Sequence, residues 1–474
     1  MEKNILIIFF VLIAGCTHFQ TKPILPSETA SAFESRTLDN HLLKEFLETN
    51  LHHKITPWPP KFWDFLMLTL VAFYYHPDLD VVRAQWDVAQ SGVITAGGHP
   101  NPNVGFLPEY STNAASGISP WVLGFTFNVP LETGGKRGYR IAQAQQLSEV
   151  ARLNIAIVAW RVRSRLKTAL LNFYAANQTE TILKKQQAIQ EEIVQVLAQR
   201  LTAGEVPLPD VTQAHISLKQ IRLALGEAQK QVAETHVQLA NALGLPVSAL
   251  AGINISFEFL EHIPLVADLP SQEVRRQALF NRPDILAALA EYEASQTALQ
   301  LEIAKQYPDI HLGPGYTYDQ GENKWSLGFS VTLPVFNRNE GPIAKAEARR
   351  KETQARFTAL QTQVIGEIDR TLAGYRAALE NLEIADSLLL FHKKRLQSVQ
   401  ALFEGGETDR LALLSSQAEL ESTELARLNI FVKAQQSLNL LEDAMQHPLQ
   451  PLKPFPIVPE TDPRTKEADK NEAQ

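Results

Sequence analysis

Three carboxylates stand close together late in the chain, at Glu404, Glu407 and Asp409, and they are the residues best placed to act on a passing ligand. Carboxylates brought together by several copies of a chain raise the local concentration of cations and can form an electrostatic gate. The competing interpretation is that they are solvated residues at a helix end. If several copies of the chain surround a channel, these three positions are expected to form its gate; simple solvation is the alternative.

The same stretch carries the signals of a turn between two helices, and an earlier stretch repeats them. Glycine permits the positive φ that ends a helix, and Asp or Thr can cap the helix that follows. The first turn contains Gly204, Glu205 and Asp210, and the second contains Gly405, Gly406 and either Thr408 or Asp409 as the cap. Structural capping and a binding role at these turns are compatible.

The sequence shows no motif for a metal site, a phosphate-binding loop or a catalytic nucleophile. The chain has 12 histidines, but none stands in a spacing such as HExxH, or HxH with a nearby carboxylate. There is no phosphate-binding glycine motif and no nucleophile with a plausible base nearby. We therefore expect no enzyme activity, no metal site and no cofactor.

The N-terminus predicts export and lipid attachment. Lys3 precedes an apolar stretch, 5–13, which is too short to span a membrane and reads as a signal peptide over residues 1–15. Cys16 is the only cysteine of the chain, so it cannot form an internal disulfide. The sequence before it resembles a bacterial lipobox, which implies lipidation of Cys16 and, with Thr17 next, sorting to the outer membrane. An incidental cysteine after an ordinary signal peptide is the alternative.

The elements that position these residues occur twice. Residues 77–247 and 283–447 follow one plan of short helix, two alternating segments, very long helix, glycine-bearing turn and return helix. Asn101-Pro102 corresponds to Tyr307-Pro308, and Pro130 corresponds to Pro334. A repeat this long indicates a duplicated structural unit.

The alternating segments predict membrane strands. Apolar residues recur at every second position from Trp121 to Leu131, and again from Trp325 to Val335. A spanning β-strand needs about 9–11 residues with apolar side chains on one face. We expect Trp121 and Trp325 to anchor the sheet at the membrane interface. A hairpin in a soluble sandwich is the alternative for these segments alone.

The helices are too long for one compact globule. No Gly or Pro interrupts residues 139–202, so the predicted helix would be about 100 Å long. The return helices, 210–243 and 408–447, have an Ala- and Leu-rich pattern with Gln, Glu, Lys and Arg between, which suits lengthwise coiled-coil packing. The chain has 474 residues, 45% of them hydrophobic, and a net charge of −8, which gives no reason to expect nucleic-acid binding.

Taken together, the duplication, the paired strands and the two turns resemble the TolC-type outer membrane efflux protein family over about residues 60–447. The resemblance implies a mixed α/β membrane protein with four transmembrane strands per chain. It implies a homotrimer with a β-barrel of twelve strands, four from each chain, continued by a periplasmic α-helical barrel. Within the family, the lipobox and Asn281-Arg282-Pro283-Asp284 resemble lipoprotein members, and the short strand loops resemble members serving cobalt, zinc and cadmium resistance.

The resemblance also implies partners and a function. The protein would be the outer-membrane channel of a tripartite efflux system, open to passive export, docked to a periplasmic membrane-fusion adaptor and an inner-membrane pump of the resistance-nodulation-division class. The adaptor would meet Gly204, Glu205, Asp210, Gly405 and Gly406 at the tip. The alternative is a non-conducting, lipid-anchored periplasmic coiled-coil scaffold. Metals, drugs and peptides all remain open as substrates.

The predicted organisation divides the chain as follows. After the signal peptide come an N-terminal linker and equatorial segment over 16–75, the first repeat over 76–247, a linker over 248–282, the second repeat over 283–447 and a tail over 448–474. The first repeat has a hairpin at about 102–131, a long helix at 138–202 and a return helix at 210–244. The second has a hairpin at about 307–335, a long helix at 342–404 and a return helix at 408–447.

Overall fold

The computed structural model describes residues 19–114, 116–265 and 279–449. The predicted signal peptide, Cys16, part of the linker between the repeats and nearly all of the predicted tail lie outside the described residues.

Two successive units of helices and strands make up the described chain. The N-terminal helices are α1 (Pro26–Glu34), α2 (His41–Leu51) and α3 (Phe65–Tyr75). The first unit contains α4 (Pro77–Ala96), β1 (Asn103–Tyr110), β2 (Trp121–Leu131), α5 (Lys136–Thr202) and α6 (Leu208–Leu243). The second contains α8 (Pro283–Ala304), β3 (Ile310–Asp319), β4 (Glu322–Val331), α9 (Glu340–Glu404) and α10 (Arg410–Met445), and the short α7 (Glu258–Glu261) lies between the units.

The four strands form one antiparallel sheet in the order β1-β2-β3-β4. Phe125 lies opposite Phe106 on one side and opposite Tyr316 on the other, so the two hairpins join edge to edge through β2 and β3. The outer edges of β1 and β4 have no strand partner among the described residues.

Strand pairing places apolar residues of all four strands on the same side of the sheet. Because directly opposite residues share a face, the registers define one apolar face and one face of small and polar residues. The apolar face carries Val104, Phe106, Tyr110, Trp121, Leu123, Phe125, Phe127, Val129, Leu131, Ile310, Leu312, Tyr316, Trp325, Leu327, Phe329 and Val331. The opposite face carries Asn103, Gly105, Glu109, Gly124, Thr126, Asn128, His311, Gly313, Gly315, Thr317, Ser326, Gly328 and Ser330, and also the apolar Leu107, Val122 and Pro130.

The second hairpin has a tighter turn than the first. Its turn consists of Gln320 and Gly321, which have φ of 50° and 101°, and the strands extend up to it on both sides. The first hairpin has a longer connection over 111–120, closed by the Ser111 N–H donating to the Pro120 carbonyl at 2.7 Å.

The long helices extend away from the sheet and pack along each other. Helix α5 has 67 residues and α9 has 65, which corresponds to about 100 Å each. Helix α5 packs against α6, α8 and α10, and α9 packs against α10. In the described ranges no single helix has the length and hydropathy to cross a membrane; α3 and α4 meet those criteria only as a pair bent by 54°.

The main hydrophobic core lies part-way along these helices. Helices α2 and α3 pack against the middle of α5 and the end of α6 there. The amphipathic segment His41–Leu51 buries Leu43, Phe46 and Leu47, and nine of the eleven residues of α3 are buried. A smaller core joins α9 and α10 around Tyr375.

A buried ionic network ties α5 of the first unit to α10 of the second. Glu442 accepts hydrogen bonds from Lys167 Nζ at 2.8 Å and Arg163 Nη1 at 3.3 Å. The neighbouring Asp443 accepts from Trp160 Nε1 at 2.9 Å and Ser164 Oγ at 2.6 Å. Lys167 and Glu442 are each 1% exposed, so the two repeats are joined by charges removed from water.

Candidate functional site

The two turns at the far end of the long helices have the same backbone geometry. Gly204 and Gly406 both have φ of 76°. The Glu205 N–H donates to the Arg200 carbonyl at 2.8 Å, and the Glu407 N–H donates to the Leu402 carbonyl at 2.9 Å. This is the Schellman arrangement that closes a helix, so the positive φ predicted at Gly204 and Gly406 is present.

Two predicted roles in these turns were wrong. Gly405 has φ of −77°, a conformation open to any residue, so the positive φ belongs to Gly406 alone. Asp210 does not cap α6, because that helix begins two residues earlier, at Leu208 after Pro207, and Asp210 lies within its first turn. In the second turn Asp409, not Thr408, is the cap and accepts from the Ala412 N–H at 2.8 Å.

Two ion pairs at the tip join the end of α5 to the start of α10. Arg200 Nη2 donates to Asp409 Oδ2 at 2.8 Å, and Arg410 Nη2 donates to Glu192 Oε2 at 2.7 Å. The Ala412 N–H and the Arg200 guanidinium hold the pKa of Asp409 below its usual value, so it is ionised at neutral pH. Asp409 is therefore engaged by its own chain.

Glu404, Glu407 and Glu205 are exposed carboxylates of the tip, as are Asp210 and the ion-paired Asp409. Glu404 ends α9 and accepts from Gln400 Nε2 at 3.1 Å. Beneath the first turn a small apolar cluster of Val194, Leu197 and Val211 braces the helix pair. The turns thus present carboxylates and backbone on a packed support, and their roles in gating and adaptor contact stay predictions.

The tryptophans of the sheet occupy corresponding places in the two hairpins. Trp121 lies opposite Tyr110 with ring centroids 5.0 Å apart, and Trp325 lies opposite Tyr316 at 4.8 Å. Trp121 is the first residue of β2, whereas Trp325 is the fourth of β4, because the second hairpin continues further toward its turn. Only Trp121 therefore follows directly on the connection between its two strands; anchoring stays a prediction for both.

The sheet is attached to the helices through a polar junction. Lys136 Nζ donates to Asp309 Oδ1 at 2.7 Å and to the Tyr307 carbonyl at 2.6 Å. The Thr133 hydroxyl donates to the Pro308 carbonyl at 2.6 Å, and its N–H donates to Asp309 Oδ1 at 2.9 Å. These bonds fix the β2–α5 connection of the first unit on the α8–β3 connection of the second.

Comparison with known proteins identifies the family. Residues 72–245 and 274–446, which are most of the chain, match the family described as outer membrane efflux protein. The chain belongs to the outer membrane efflux protein family. The TolC-type fold predicted from the sequence is confirmed, and the protein is an outer-membrane protein of a Gram-negative bacterium with a large periplasmic part.

Similar proteins and solved structures support this family assignment. The efflux protein is 24% identical to the cobalt-zinc-cadmium resistance protein CzcC of Cupriavidus metallidurans over 77% of this chain and 85% of the relative. It is 21% identical to the probable outer membrane lipoprotein SilC of Salmonella typhimurium over 51% of this chain and 53% of the relative. The structure of the outer membrane protein VceC from Vibrio cholerae aligns with a TM-score of 0.65 at 20% identity, covering 81% of this chain and 97% of that one.

Sequence reasoning missed the contacts between distant parts of this efflux protein. Arg200 and Asp409 are 209 residues apart in the chain, and Lys167 and Glu442 are 275 apart. A lysine within an Ala- and Leu-rich helix was the available signal for the second pair, since a charge on a packed face needs a partner. Among the described residues no group of three or more His, Cys, Asp and Glu side chains is placed to hold a metal ion.

Proposed function

We propose that the protein is the outer-membrane channel component of a tripartite efflux system. Three copies of the four-stranded sheet form one closed barrel of twelve strands in the membrane, and the long helices continue it as a helical barrel in the periplasm. Export through it is passive: the energy comes from an inner-membrane pump of the resistance-nodulation-division class. Lipid on Cys16 adds a second attachment to the membrane, and the relative SilC is named a probable lipoprotein.

The two-faced sheet is the observation that carries this proposal. Its apolar face is open, with Trp325 81% exposed and Phe329 80% exposed. A patch of this size on a soluble protein would be an aggregation hazard, whereas lipid accepts it. A strand edge in lipid leaves its backbone groups unsatisfied at a cost of several kcal/mol each, so the sheet must close with other copies. The small and polar face then lines water.

The tip suits the adaptor and the gate. Its two turns are exposed and have the same backbone geometry. Each turn closes a long helix that is packed against its neighbours. Three copies of the chain therefore present six similar turns at one end of the assembly. A membrane-fusion adaptor docks there. The exposed Glu404 and Glu407 give the entrance a negative potential that favours cations. The metal resistance named for CzcC makes metal cations a reasonable substrate class.

Conductance across a planar bilayer tests the proposal. We expect discrete steps with a preference for cations, and we expect Glu404→Gln with Glu407→Gln to lower the cation-to-anion permeability ratio by roughly a factor of two or more, since six carboxylates leave the entrance of a trimer. The exposed pair Glu258 and Glu261, away from the tip, provides the matched control Glu258→Gln with Glu261→Gln, which should leave the ratio unchanged.

A closed tip must be distinguished from a protein that never conducts. Arg200→Ala with Arg410→Ala removes both tip ion pairs and should increase conductance if these pairs hold the tip shut. Silence of this variant as well, in protein that is folded and inserted in the bilayer, would reject the channel in favour of the periplasmic scaffold.

A further inference from the structure

The two hairpins of the sheet are built in the same register. Phe106 lies opposite Phe125 in the first hairpin, and the corresponding Leu312 lies opposite Phe329 in the second. Corresponding positions therefore differ by 206 between β1 and β3 and by 204 between β2 and β4. The first helix residue after each hairpin, Lys136 or Glu340, also follows a residue of positive φ in both units.

The contact between the hairpins supplies a template for the contact between chains. Inside the chain, β2 of the first unit pairs with β3 of the second. The corresponding strands β4 and β1 have free outer edges in the described sheet. If the same unit recurs around a closed barrel, β4 of one copy meets β1 of the next as β2 meets β3.

We propose that β4 pairs with β1 of a second copy in the register that β2 uses with β3. The proposal rests on the trimer proposed above. It specifies, residue by residue, the contact between β4 of one subunit and β1 of the next, which we call the seam. Thr126 opposite Gly315 and Val129 opposite Leu312 are the template pairs. The seam then pairs Phe329 with Tyr110 of the partner subunit, Ser330 with Glu109 of the partner subunit, Leu333 with Phe106 of the partner subunit and Val335 with Val104 of the partner subunit.

Exposure along the free edges supports this seam. At the contact between the hairpins, Leu131 is 43% exposed and Ile310 is 37% exposed. Their counterparts at the free edges, Val335 and Val104, are 68% and 65% exposed. A second copy in this register covers the apolar side chains that the chain itself leaves open, and it extends pairing past Val331, where β4 now ends.

The junction below the seam has the same shape but different charges. Asn337 and Glu340 correspond to Thr133 and Lys136, and residues 101–103 correspond to 307–309. The Lys136–Asp309 ion pair, which fixes the junction within a chain, is therefore replaced at the seam by Glu340 and an asparagine. The three joints between chains lack an ion pair that the three joints within chains possess.

Cysteine crosslinking tests the register. Glu109→Cys with Ser330→Cys should give covalent dimers and trimers on a non-reducing gel, because directly opposite Cα atoms lie about 4.5–5.5 Å apart, within disulfide reach. Glu109 also lies opposite Val122 in its own chain, so Glu109→Cys with Val122→Cys should stay at monomer size. Leu107→Cys with Ser330→Cys is two residues out of register and should crosslink at least about fivefold less.

The outcomes of the crosslinking separate failure of the register from failure of the proposed channel. Single-cysteine variants measure any contribution of Cys16. Preferential crosslinking of the 107/330 pair, or an intact trimer with no 109/330 crosslink, overturns the register and leaves the trimer. A protein that is monomeric in detergent and crosslinks only at 109/122 overturns the register and the proposed channel together.

Introducing an ion pair at the seam tests whether the junction between two subunits has the same geometry as the junction within a chain. Glu340→Lys with Asn103→Asp recreates the Lys136–Asp309 pair across the seam and should raise the temperature at which the trimer dissociates on a gel by on the order of 2–4 °C. Asn103→Asp alone places two acids together and should lower it. An effect of the double variant equal to the sum of the single variants would show that positions 340 and 103 do not meet.

Discussion

Replacing Glu442 with glutamine is expected to destabilise the protein by about 3–5 kcal/mol, because breaking a buried ion pair leaves charge uncompensated in the interior. Glutamine keeps the shape of the side chain but removes the negative charge that faces Lys167 and Arg163. All three side chains are buried, so water cannot replace the lost partner. The measurement is denaturant unfolding of the detergent-solubilised protein, followed by far-ultraviolet circular dichroism.

A partly exposed ion pair on α5, the helix that carries Lys167, provides the control. Glu149 accepts from Arg152 at 2.7 Å, and the two side chains are 42% and 47% exposed. Glu149→Gln should leave the unfolding midpoint unchanged, since exposed ion pairs contribute little. A midpoint shift for Glu442→Gln no larger than that of Glu149→Gln would mean that the buried network does not stabilise the joint between α5 and α10.

The pH dependence of the Glu442→Gln variant follows from Lys167. Burial lowers the pKa of Lys167 below its usual 10.5, and the negative charge of Glu442 partly opposes this shift. Removing that charge therefore lowers the pKa of Lys167 further. Between that lowered pKa and 10.5 the unfolded chain binds the proton and the folded chain does not, so stability rises with pH in this window. The deficit of the variant relative to the wild type should therefore narrow as the pH is raised.

The wild-type protein should lose stability in acid as Glu442 becomes protonated. Burial alone would raise the pKa of Glu442, but Lys167 and Arg163 outweigh it and hold that pKa below the usual 4.5. The contribution of this carboxylate is fully present above pH 4.5 and is lost as the pH falls through the folded-state pKa.

Replacing Gly244 with alanine is expected to cost roughly 2–5 kcal/mol, combining left-handed strain with overpacking. Gly244 ends α6 with φ of 71°, and a Cβ there would lie 2.7 Å from the Tyr75 carbonyl oxygen. Arg36 Nη1 donates to the carbonyls of both Tyr75 and Gly244 at 2.8 Å, which holds the two segments together. The new Cβ would meet backbone atoms of Tyr75, and backbone cannot move aside as a flexible side chain can. Thermal unfolding measures the loss.

Gly204 is the matched control for this substitution. It also ends a long helix, with φ of 76°, but a Cβ there meets nothing within 4 Å. Gly204→Ala should therefore show the conformational strain alone, about 1–2 kcal/mol. Equal losses for the two alanine variants would show that the close approach to Tyr75 contributes nothing to the cost at Gly244.

The sequence was a reliable guide wherever a pattern is local. Alternation from Trp121 to Leu131 predicted a strand, and β2 has those bounds. Helix ends were less accurate, because they depend on backbone conformation that several residues can adopt. Asn339, with φ of 63°, precedes α9 where the first unit uses Gly135 before α5, and Pro207 precedes α6 where Asp409 precedes α10.

The sequence by itself determined the duplicated plan, the strand and helix periods and the family, because these depend on residue order within a segment. Only the tertiary structure decided that Asp409 binds Arg200, that Lys167 and Glu442 are buried together, and that one sheet face collects the apolar residues of four strands. The physical reason is that these contacts join positions more than a hundred residues apart. Their existence depends on the register and rotation with which whole helices and strands pack, and no local pattern of residues encodes either.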